Sequence, residues 1–324
     1  MGILGHARDR YLADGVSVNS YRAYQSGFNR FQKFCCLYGF QPCPPQEQNL
    51  ELFVTHLARA GLVYNSIKVY LYGIQFCALQ KGFVIKICNM RRLYYVCRGI
   101  RRTESPSRKT RNPITTKHLK TMIKFIDSSL FSPYDKALWK SLILTAFFGL
   151  LRVSEFTTAN PRTYDPLTEL CLSDIRLVGP KLVVRIKASK TDPFRVGADV
   201  TLWETGCPLC PVNAFRLFCS LRGKFPQGPL YTKASGEFVT RKRVAALLDI
   251  SLRDVNINTH SFRIGGASAA AAAGVPDSVI QAMGRWRSDC YKRYIRMDDT
   301  IKRNWSSAIS KVKDVNAIWR FDGC

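Results

Sequence analysis

The sequence predicts a mainly α-helical protein with two domains, the second of which contains a small antiparallel β-sheet. Apolar residues recur at helical spacing over most of the 324 residues. Residues 103–114 interrupt this pattern with Ser, Pro and charged residues, which is typical of a linker. Three segments between residues 170 and 203 instead alternate apolar and polar residues, as half-buried strands do. We therefore place a helical domain at 1–102, a basic linker at 103–114 and an α+β domain at 115–324.

Four amphipathic helices are predicted before the linker. Gly39, Gly61 and Gly82 are expected to end the first three helices, and Asn49 and Asn65 are expected N-caps. The apolar positions that predict the four helices are Tyr21, Tyr24, Phe28, Phe31 and Cys35, then Leu50, Phe53, Val54 and Leu57, then Ile67, Leu71 and Ile74, then Leu93, Val96, Cys97 and Ile100.

In the second domain, helices are predicted before and after the segments that form the sheet. A long apolar helix is expected from Pro133 to Leu151, and its uncharged run Leu142–Leu151 is too short for the roughly 20 residues that span a bilayer. The expected strands lie within 170–178, 181–189 and 198–203. Gly265 and Gly266 remove side-chain bulk just after Arg263, so we expect backbones to pack closely there.

The charge balance indicates a polyanion as partner. Lys and Arg outnumber Asp and Glu by 49 to 23, which gives a net charge of +26. Between Lys81 and Lys120 there are twelve basic residues and one acid, Glu104. A solvated linker or a nuclear-import signal would have the same composition, and both alternatives stay open. The candidate DNA contacts are Arg91, Arg92, Arg98, Arg101, Arg102, Arg108, Lys109 and Arg111.

Four short segments, far apart in the sequence, contain the groups that a metal-free phosphoryl-transfer site requires. They contribute Arg152, Lys190, His260 with Arg263, and Tyr294. Arginine can hold two phosphate oxygens at once, and lysine can also give up a proton. A tyrosine hydroxyl can act as nucleophile where neighbouring cations favour its phenolate. Each residue alone has an ordinary structural explanation, so the hypothesis depends on their joint occurrence.

The four segments read GLLRVSE, SKTD, HSFR and GRWRSDCYKRYIR, and in this order they make the chain resemble the tyrosine recombinase (phage integrase) superfamily. The resemblance is closest to recombinases of eukaryotic mobile elements, of the DIRS-like or Crypton-like kind, where GRW followed by a YIR tyrosine is a familiar variant. It implies that the first domain is a four-helix core-binding (SAM-like) domain on DNA. The second would be a tyrosine recombinase catalytic domain.

The resemblance also implies a role for each charged residue of these segments. Arg152 and Arg263 would clamp the scissile phosphate. Glu155, one helical turn after Arg152, would lie on the same face and help to orient the site. Lys190, on a β-hairpin, would protonate the leaving 5′ oxygen, and His260 would assist proton transfer.

Tyr294 is the expected nucleophile and would form a 3′-phosphotyrosine link, from which the strands rejoin without ATP. Tyr291 is the alternative, and Tyr294 is favoured because it follows Gly284 at the ten-residue interval of the family. The common pattern has a histidine or tryptophan directly after this glycine. Here Arg285 follows and Trp286 comes next, so either residue could contact the phosphate.

The expected function is site-specific recombination of double-stranded DNA, for the integration or excision of a mobile element. From the resemblance we expect a dimer on one site and a tetramer in synapsis, with no metal, no other cofactor and no membrane. One alternative is a domesticated DNA-binding protein that has lost cleavage, for which Arg285 is the only hint. A type IB topoisomerase-like enzyme is the less favoured alternative.

Cysteine usage and the first residues of the sequence bear on the cellular environment. Cys207 and Cys210 form CPLC, but no second pair lies at zinc-finger spacing, so reduced thiols are expected. The first residues, MGILGHARDR, lack an apolar h-region, and we expect an intracellular protein, nuclear in a eukaryotic host.

The amphipathic segment Ile295–Cys324 would pack either on its own domain or on a neighbouring copy.

Overall fold

A computed structural model of the protein describes residues 2–104, 111–222 and 228–296. The chain forms two compact units, Met1–Arg108 and Lys109–Cys324. The described part of the first unit is helical, as predicted. Its helices are α1 (Gly2–Asp14), α2 (Val18–Tyr38), α3 (Glu47–Arg59), α4 (Tyr64–Gln80) and α5 (Arg91–Thr103), with a short 3₁₀ turn at Ile87–Asn89.

Helix α1 has no counterpart among the four predicted helices. None of its residues is buried, so its sequence lacks the apolar stripe from which a helix could be predicted. The other four helices correspond to the predicted ones. Gly39 ends α2 in a left-handed conformation with φ of 70°, and Gly61 and Gly82 have φ of 81° and 88° just beyond α3 and α4. These are positions where glycine has no steric penalty.

The predicted N-caps of α3 and α4 are wrong. The structure has Gln46 and Val63 at these positions, and neither side chain makes a capping hydrogen bond. Asn49 lies inside α3 and is buried, and Asn65 lies in the first turn of α4. The helices begin earlier than the asparagines because apolar packing, rather than a cap, fixes their start.

Two glycines bring α2 and α4 into direct backbone contact. A Cβ atom on Gly27 would lie 2.7 Å from Cα of Tyr70, and one on Gly73 would lie 2.7 Å from Cα of Tyr24. Side chains larger than hydrogen would therefore push the helices apart. The core of this unit includes the fully buried residues Phe31, Leu50, Phe53, Leu57, Ile67 and Ile74.

Two carboxylates fix the ends of α5. Glu47 of α3 accepts hydrogen bonds from the backbone N–H groups of Arg92, at 2.9 Å, and Leu93, at 3.2 Å. These donors have no partner inside the helix, and an anion there also suits the helix dipole. At the other end, Glu104 accepts a hydrogen bond from the backbone N–H of Tyr64. The arginine-rich helix is thus held by contacts that leave its basic side chains exposed.

The second unit combines helices with a small three-stranded antiparallel sheet, as predicted. Its strands, in the order β1-β2-β3, place Val184 beside both Ile175 and Val200. The elements are α6 (Thr116–Ser128), α7 (Pro133–Phe148), β1 (Ile175–Val178), β2 (Lys181–Ile186), β3 (Ala198–Trp203), α8 (Pro211–Arg222), α9 (Arg241–Leu252), α10 (Ser261–Ala272) and α11 (Asp277–Met283).

Both ends of the predicted linker 103–114 overlap with folded structure. Thr103 is the last residue of α5, whereas Ile114 is fully buried in the core of the second unit. The backbone N–H of Ile114 donates to the carbonyl of Ser261, at 3.1 Å. Residues 105–110 of this segment lie outside the described part of the chain.

The predicted close packing after Arg263 is confirmed. A Cβ atom on Gly265 would overlap the carbonyl oxygen of Ile114, and one on Gly266 would overlap the carbonyl oxygen of Phe147. Helix α10 is therefore wedged between the entry segment of the unit and the end of α7. Helix α7 stops at Phe148, before the predicted Leu151, and Leu150 has a left-handed φ of 50°.

We expect Gly265→Ala to lower the free energy of unfolding of the second unit by about 1–3 kcal/mol, because the new methyl group meets backbone atoms that cannot move aside. All five tryptophans follow residue 108, so urea unfolding detected by tryptophan fluorescence reports on this unit. Gly99→Ala is the control, since nothing lies within 4 Å of its new methyl group and it belongs to the first unit. Equal transitions for wild type and Gly265→Ala would contradict the packing.

Candidate active site

The side chain of Arg263 lies at the centre of the candidate site, on the first turn of α10. It is fully buried, and its two Nη atoms donate to the backbone carbonyls of Leu150 and Gly284. The left-handed backbone of Leu150 belongs to the turn that brings this carbonyl to the guanidinium. Burial, followed by the nearby charge of Arg152, lowers the pKa of Arg263 to about 10, so the group keeps its charge at neutral pH.

Arg152 and Arg285 share one buried carboxylate. The side chain of Glu155 has no exposed surface and accepts from Nη1 of Arg152 at 2.9 Å and from Nη2 of Arg285 at 2.5 Å. It also accepts from the backbone N–H of Arg152 at 2.8 Å. Arg152 is the N-cap residue of a 3₁₀ turn after α7, Val153–Glu155, so the two residues are not separated by the expected turn of α-helix. The carboxylate thus orients the predicted phosphate-binding arginine.

Trp286, rather than Arg285, lies beside the predicted nucleophile. The ring of Trp286 lies 4.2 Å from the Cζ atom of Arg263 and 4.9 Å from the ring of Tyr294. Arg285 has a left-handed φ of 56°, and its side chain points to Glu155 instead. The two residues that the sequence leaves as alternatives therefore have different neighbours in the structure.

The two candidate tyrosines occupy different environments. The ring of Tyr294 lies 5.2 Å from the ring of His260 and 5.6 Å from the Cζ atom of Arg263. Tyr291 is buried, and its hydroxyl donates to Asp277 at 3.0 Å. Burial, and then Asp277, raise the pKa of Tyr291, which disfavours the phenolate. Tyr294 is thus the tyrosine among the predicted cations.

Lys190 lies on the connection between β2 and β3, as predicted for a hairpin tip. A tight turn forms there, in which the backbone N–H of Asp192 donates to the carbonyl of Ser189 at 3.0 Å. Lys190 itself is exposed. Its neighbour Thr191 accepts a hydrogen bond from Nη2 of Arg152 at 3.3 Å, and this contact brings the turn to the arginine. The sequence analysis did not identify Thr191, although SKTD contains it.

His260 occupies the N-cap position of α10 without a capping hydrogen bond from its side chain, and its surroundings favour the neutral ring. Burial is the main cause, followed by the positive charges of Arg111 and Arg263, and together they lower the pKa of His260 from 6.5 to about 4. Arg111 is one of the predicted DNA contacts. The charge of Arg241, at the start of α9, acts in the same direction, and the sequence analysis missed this residue. Its only signal is the basic run RKR at the beginning of that helix.

The other predicted DNA contacts fall into two groups. Five arginines of α5 are exposed, namely Arg91, Arg92, Arg98, Arg101 and Arg102. Arg92 pairs with Glu51 at 3.3 Å, and the guanidinium of Arg101 lies 5.8 Å from the centre of the Tyr64 ring. Arg108, Lys109 and the C-terminal segment after residue 296 lie outside the described residues.

A second basic surface, which the sequence analysis missed, lies along α2. An open groove of about 650 Å³ is lined by one face of this helix and by Tyr70 of α4. Its cations are Arg22, Arg30 and Lys33, and Gln25 and Asn29 add amide groups. The signal in the sequence is the polar face opposite the apolar stripe of α2. We call this surface the α2 groove.

Within residues 2–104, 111–222 and 228–296, no three His, Cys, Asp or Glu side chains form a group that could hold a metal ion. In the same part of the chain, no helix combines the length and the apolar character needed to cross a membrane.

Solved structures resemble this chain in fold. The Tn1549 transposon integrase bound to transposon right end DNA has a TM-score of 0.57 at 13% identity, over 91% of this chain and 95% of that one. The XerH site-specific recombinase bound to difH has a TM-score of 0.56 at 16% identity, over 90% and 79%. A lambda integrase dimer bound to a core site has a TM-score of 0.56 at 14% identity, over 90% and 93%.

No family model matches the sequence, and no curated protein matches it either. The likeness is therefore one of structure. The chain has the fold of the tyrosine recombinases, mainly α-helical with a small three-stranded antiparallel sheet in its second unit.

We expect the ring of His260 to take up a proton near pH 4 in the free protein and at a higher pH when a DNA duplex is bound. An anionic phosphate beside the ring would oppose the arginines that lower its pKa. NMR titration of the four histidines measures both values, and His260→Gln identifies the signal. A titration of His260 that DNA leaves unchanged would contradict the placement of phosphate here.

The lowered pKa of His260 also determines how this residue changes the stability of the protein with pH. Between pH 6.5 and about 4 the unfolded chain binds a proton that folded His260 does not bind, so this residue lowers stability as the pH falls through that range. Above pH 6.5 the effect is absent. The pH dependence of the free energy of unfolding should therefore be flatter in His260→Gln than in wild type.

Proposed function

We propose that this protein is a site-specific DNA recombinase that cleaves and rejoins duplex DNA through a 3′-phosphotyrosine at Tyr294. The observation that carries the proposal is the convergence of groups from three distant segments. Arg152, His260 with Arg263, and Trp286 with Tyr294 meet in one place in the second unit. The recombinase fold supports the same conclusion.

Buried donors without partners support a phosphate as the group that binds here. Within the described residues, Nε of Arg263 and Nε1 of Trp286, whose side chains lie beside Tyr294, are buried and make no hydrogen bond. An unpaired buried donor typically costs about 1–3 kcal/mol. Phosphate oxygens would accept hydrogen bonds from such donors, and the positive charge of the arginines would stabilise the anion.

The proposed reaction is a pair of transesterifications. The hydroxyl oxygen of Tyr294 attacks phosphorus and its proton passes to neutral His260, while the bond from phosphorus to the 5′ oxygen breaks. Lys190 gives a proton to that oxygen, and a free 5′ hydroxyl results. Arg152 and Arg263 stabilise the added negative charge of the transition state. Attack by a 5′ hydroxyl on the phosphotyrosine reverses every transfer and restores Tyr294.

Two basic surfaces of the first unit would hold the duplex. Among the described residues, Arg92 is the one exposed arginine of α5 that forms a salt bridge, to Glu51, so the other four are suited to phosphate contacts. The α2 groove combines cations with amide side chains, which can also contact base edges. The net charge of +26 would increase the rate and strength of binding to DNA.

We further propose that the substrate is a mobile element of the DIRS-like or Crypton-like kind, integrated or excised by a tetramer on two paired sites. This part of the proposal rests on the GRW and YIR residues of the sequence. A nuclear location in a eukaryotic host goes with it, as does catalysis without a metal or ATP.

Tyr294→Phe should abolish covalent attachment to DNA and retain binding, because it removes only the attacking oxygen. The experiment incubates wild type, Tyr294→Phe and Tyr291→Phe with nicked suicide duplexes from a pooled sequence library. A protein band shifted by covalent DNA is then measured, and sequencing of the adduct identifies the site.

Tyr291→Phe is the comparison variant, since it removes a hydroxyl from the neighbouring tyrosine and should still form adduct, at a reduced rate because its hydrogen bond to Asp277 is lost. Adduct from Tyr294→Phe but not from Tyr291→Phe would transfer the nucleophile to Tyr291. Tight binding without any adduct in wild type would instead favour a DNA-binding protein that does not cleave.

Neutralising Arg98, Arg101 and Arg102 together should weaken binding to all duplexes alike and reduce the slope of log K against log salt by about 2–3, since each phosphate contact contributes about 0.9. Fluorescence anisotropy at several salt concentrations measures the slope. A control triple variant neutralises Arg8, Arg10 and Arg176, which are each paired with an acid in the structure. An equal loss of slope in the control would mean that net charge, rather than α5, is responsible.

A further inference from the structure

The backbone that carries Tyr294 is hydrogen-bonded to the helix that carries the phosphate-binding groups. The hydroxyl of Ser268 donates to the carbonyl of Tyr294 at 3.2 Å and accepts from the backbone N–H of Arg296 at 2.9 Å. Ser268 belongs to α10, which begins with the His260 cap and contains Arg263. One side chain thus connects the nucleophile segment to the rest of the site.

A second anchor lies on the other side of Tyr294. The buried hydroxyl of Tyr291 donates to Asp277, the first residue of α11, at 3.0 Å. The backbone N–H of Tyr294 donates to the carbonyl of Tyr291 at 2.8 Å. The segment is therefore fixed before Tyr294 by α11 and after it by α10.

The side-chain contacts of Tyr294 do not fix its hydroxyl by themselves. The ring lies against the rings of His260 and Trp286, and such contacts allow one ring to shift along another at a small cost in free energy. The preceding 3₁₀ turn, Asp289–Arg293, is short, so by itself it does little to hold Tyr294 in place. Attack in line with the leaving oxygen requires the nucleophile within a few tenths of an ångström. The direction of the backbone at Tyr294 must therefore come from its hydrogen bonds to the neighbouring helices.

The sequence around Ser268 is consistent with a specific task. Between Ile264 and Ala273 it is the one polar side chain in a run of glycine and alanine, IGGASAAAAA. An alanine would suit the helix better by propensity. Its hydroxyl bonds to the nucleophile segment instead of to its own helix.

We propose that Ser268 is a positioning residue that aligns Tyr294 for attack, with the Tyr291–Asp277 hydrogen bond as the second anchor. It acts through the backbone of Tyr294 and makes no contact with the phosphate. The inference rests on the proposed function, because it assumes that Tyr294 is the nucleophile.

The first test compares Ser268→Ala with wild type on the suicide duplex. We expect adduct formation to slow by about 10- to 100-fold, as for a small misplacement of a reacting group, with unchanged DNA affinity. Ser268→Thr keeps the hydroxyl and should recover most of the rate. Ser251→Ala is the matched control, since this half-buried serine of α9 bonds to the carbonyls of its own helix, Leu247 and Leu248, and should leave the rate unchanged.

A second readout separates alignment of the nucleophile from damage to the phosphate site. The substrate is a duplex with a 3′ p-nitrophenyl phosphate, from which a 5′ hydroxyl displaces p-nitrophenolate and forms the phosphodiester without Tyr294. In a Tyr294→Phe background, adding Ser268→Ala should leave this joining rate unchanged. Adding Arg152→Ala should abolish it, because the phosphate then loses a cation.

The outcomes distinguish the two proposals. Cleavage by Ser268→Ala at the wild-type rate would overturn the positioning role and leave the proposed function intact. Loss of both cleavage and joining would also overturn it, since Ser268 would then support the phosphate site. Slow cleavage with normal joining supports alignment of Tyr294. A wild-type protein that neither cleaves nor joins any duplex would overturn the proposed function itself.

Discussion

The buried carboxylate of Glu155 is the interaction on which the candidate site depends. Its single negative charge pairs with both Arg152 and Arg285 and so reduces the repulsion between these two cations in a poorly hydrated environment. Removing one partner of a buried ion pair typically costs about 3–5 kcal/mol, because the remaining charge is left without compensation. Since Arg285 lies 130 residues after Glu155 in the chain, the carboxylate also ties the turn after α7 to the turn after α11. Arg152, the proposed phosphate-binding arginine, is thus positioned by the same carboxylate that joins these two turns.

Helix α10 fixes the positions of the other groups in the candidate site. Gly265 and Gly266 let it lie against backbone on two sides, and its end presents His260 and Arg263 while its middle holds the Tyr294 segment through Ser268. Helix α10 therefore holds most of the groups that are proposed to react in fixed positions relative to one another. Lys190 differs, because it lies on an exposed turn that reaches the site through the contact between Thr191 and Arg152.

The sequence was sufficient for the helices with a strong apolar stripe, for the sheet and for the fold class. It was insufficient for α1, which buries no residue, and for the helix starts, where the expected asparagine caps gave way to packing. The choice between Arg285 and Trp286 also lay beyond sequence spacing. It depends on the left-handed backbone at Arg285, which turns one side chain to Glu155 and leaves the next beside Tyr294. Tertiary contacts decide such details, and local sequence does not record them.

The contact between Gly284 and Trp286 limits how this site can vary in evolution. A Cβ atom at position 284 would overlap the indole ring, so the tryptophan can occupy its place only beside a glycine. A homologue with any residue other than glycine at position 284 would need a smaller or differently placed side chain at position 286. The two positions are thus expected to change together, and their covariation would record the space that the indole ring fills.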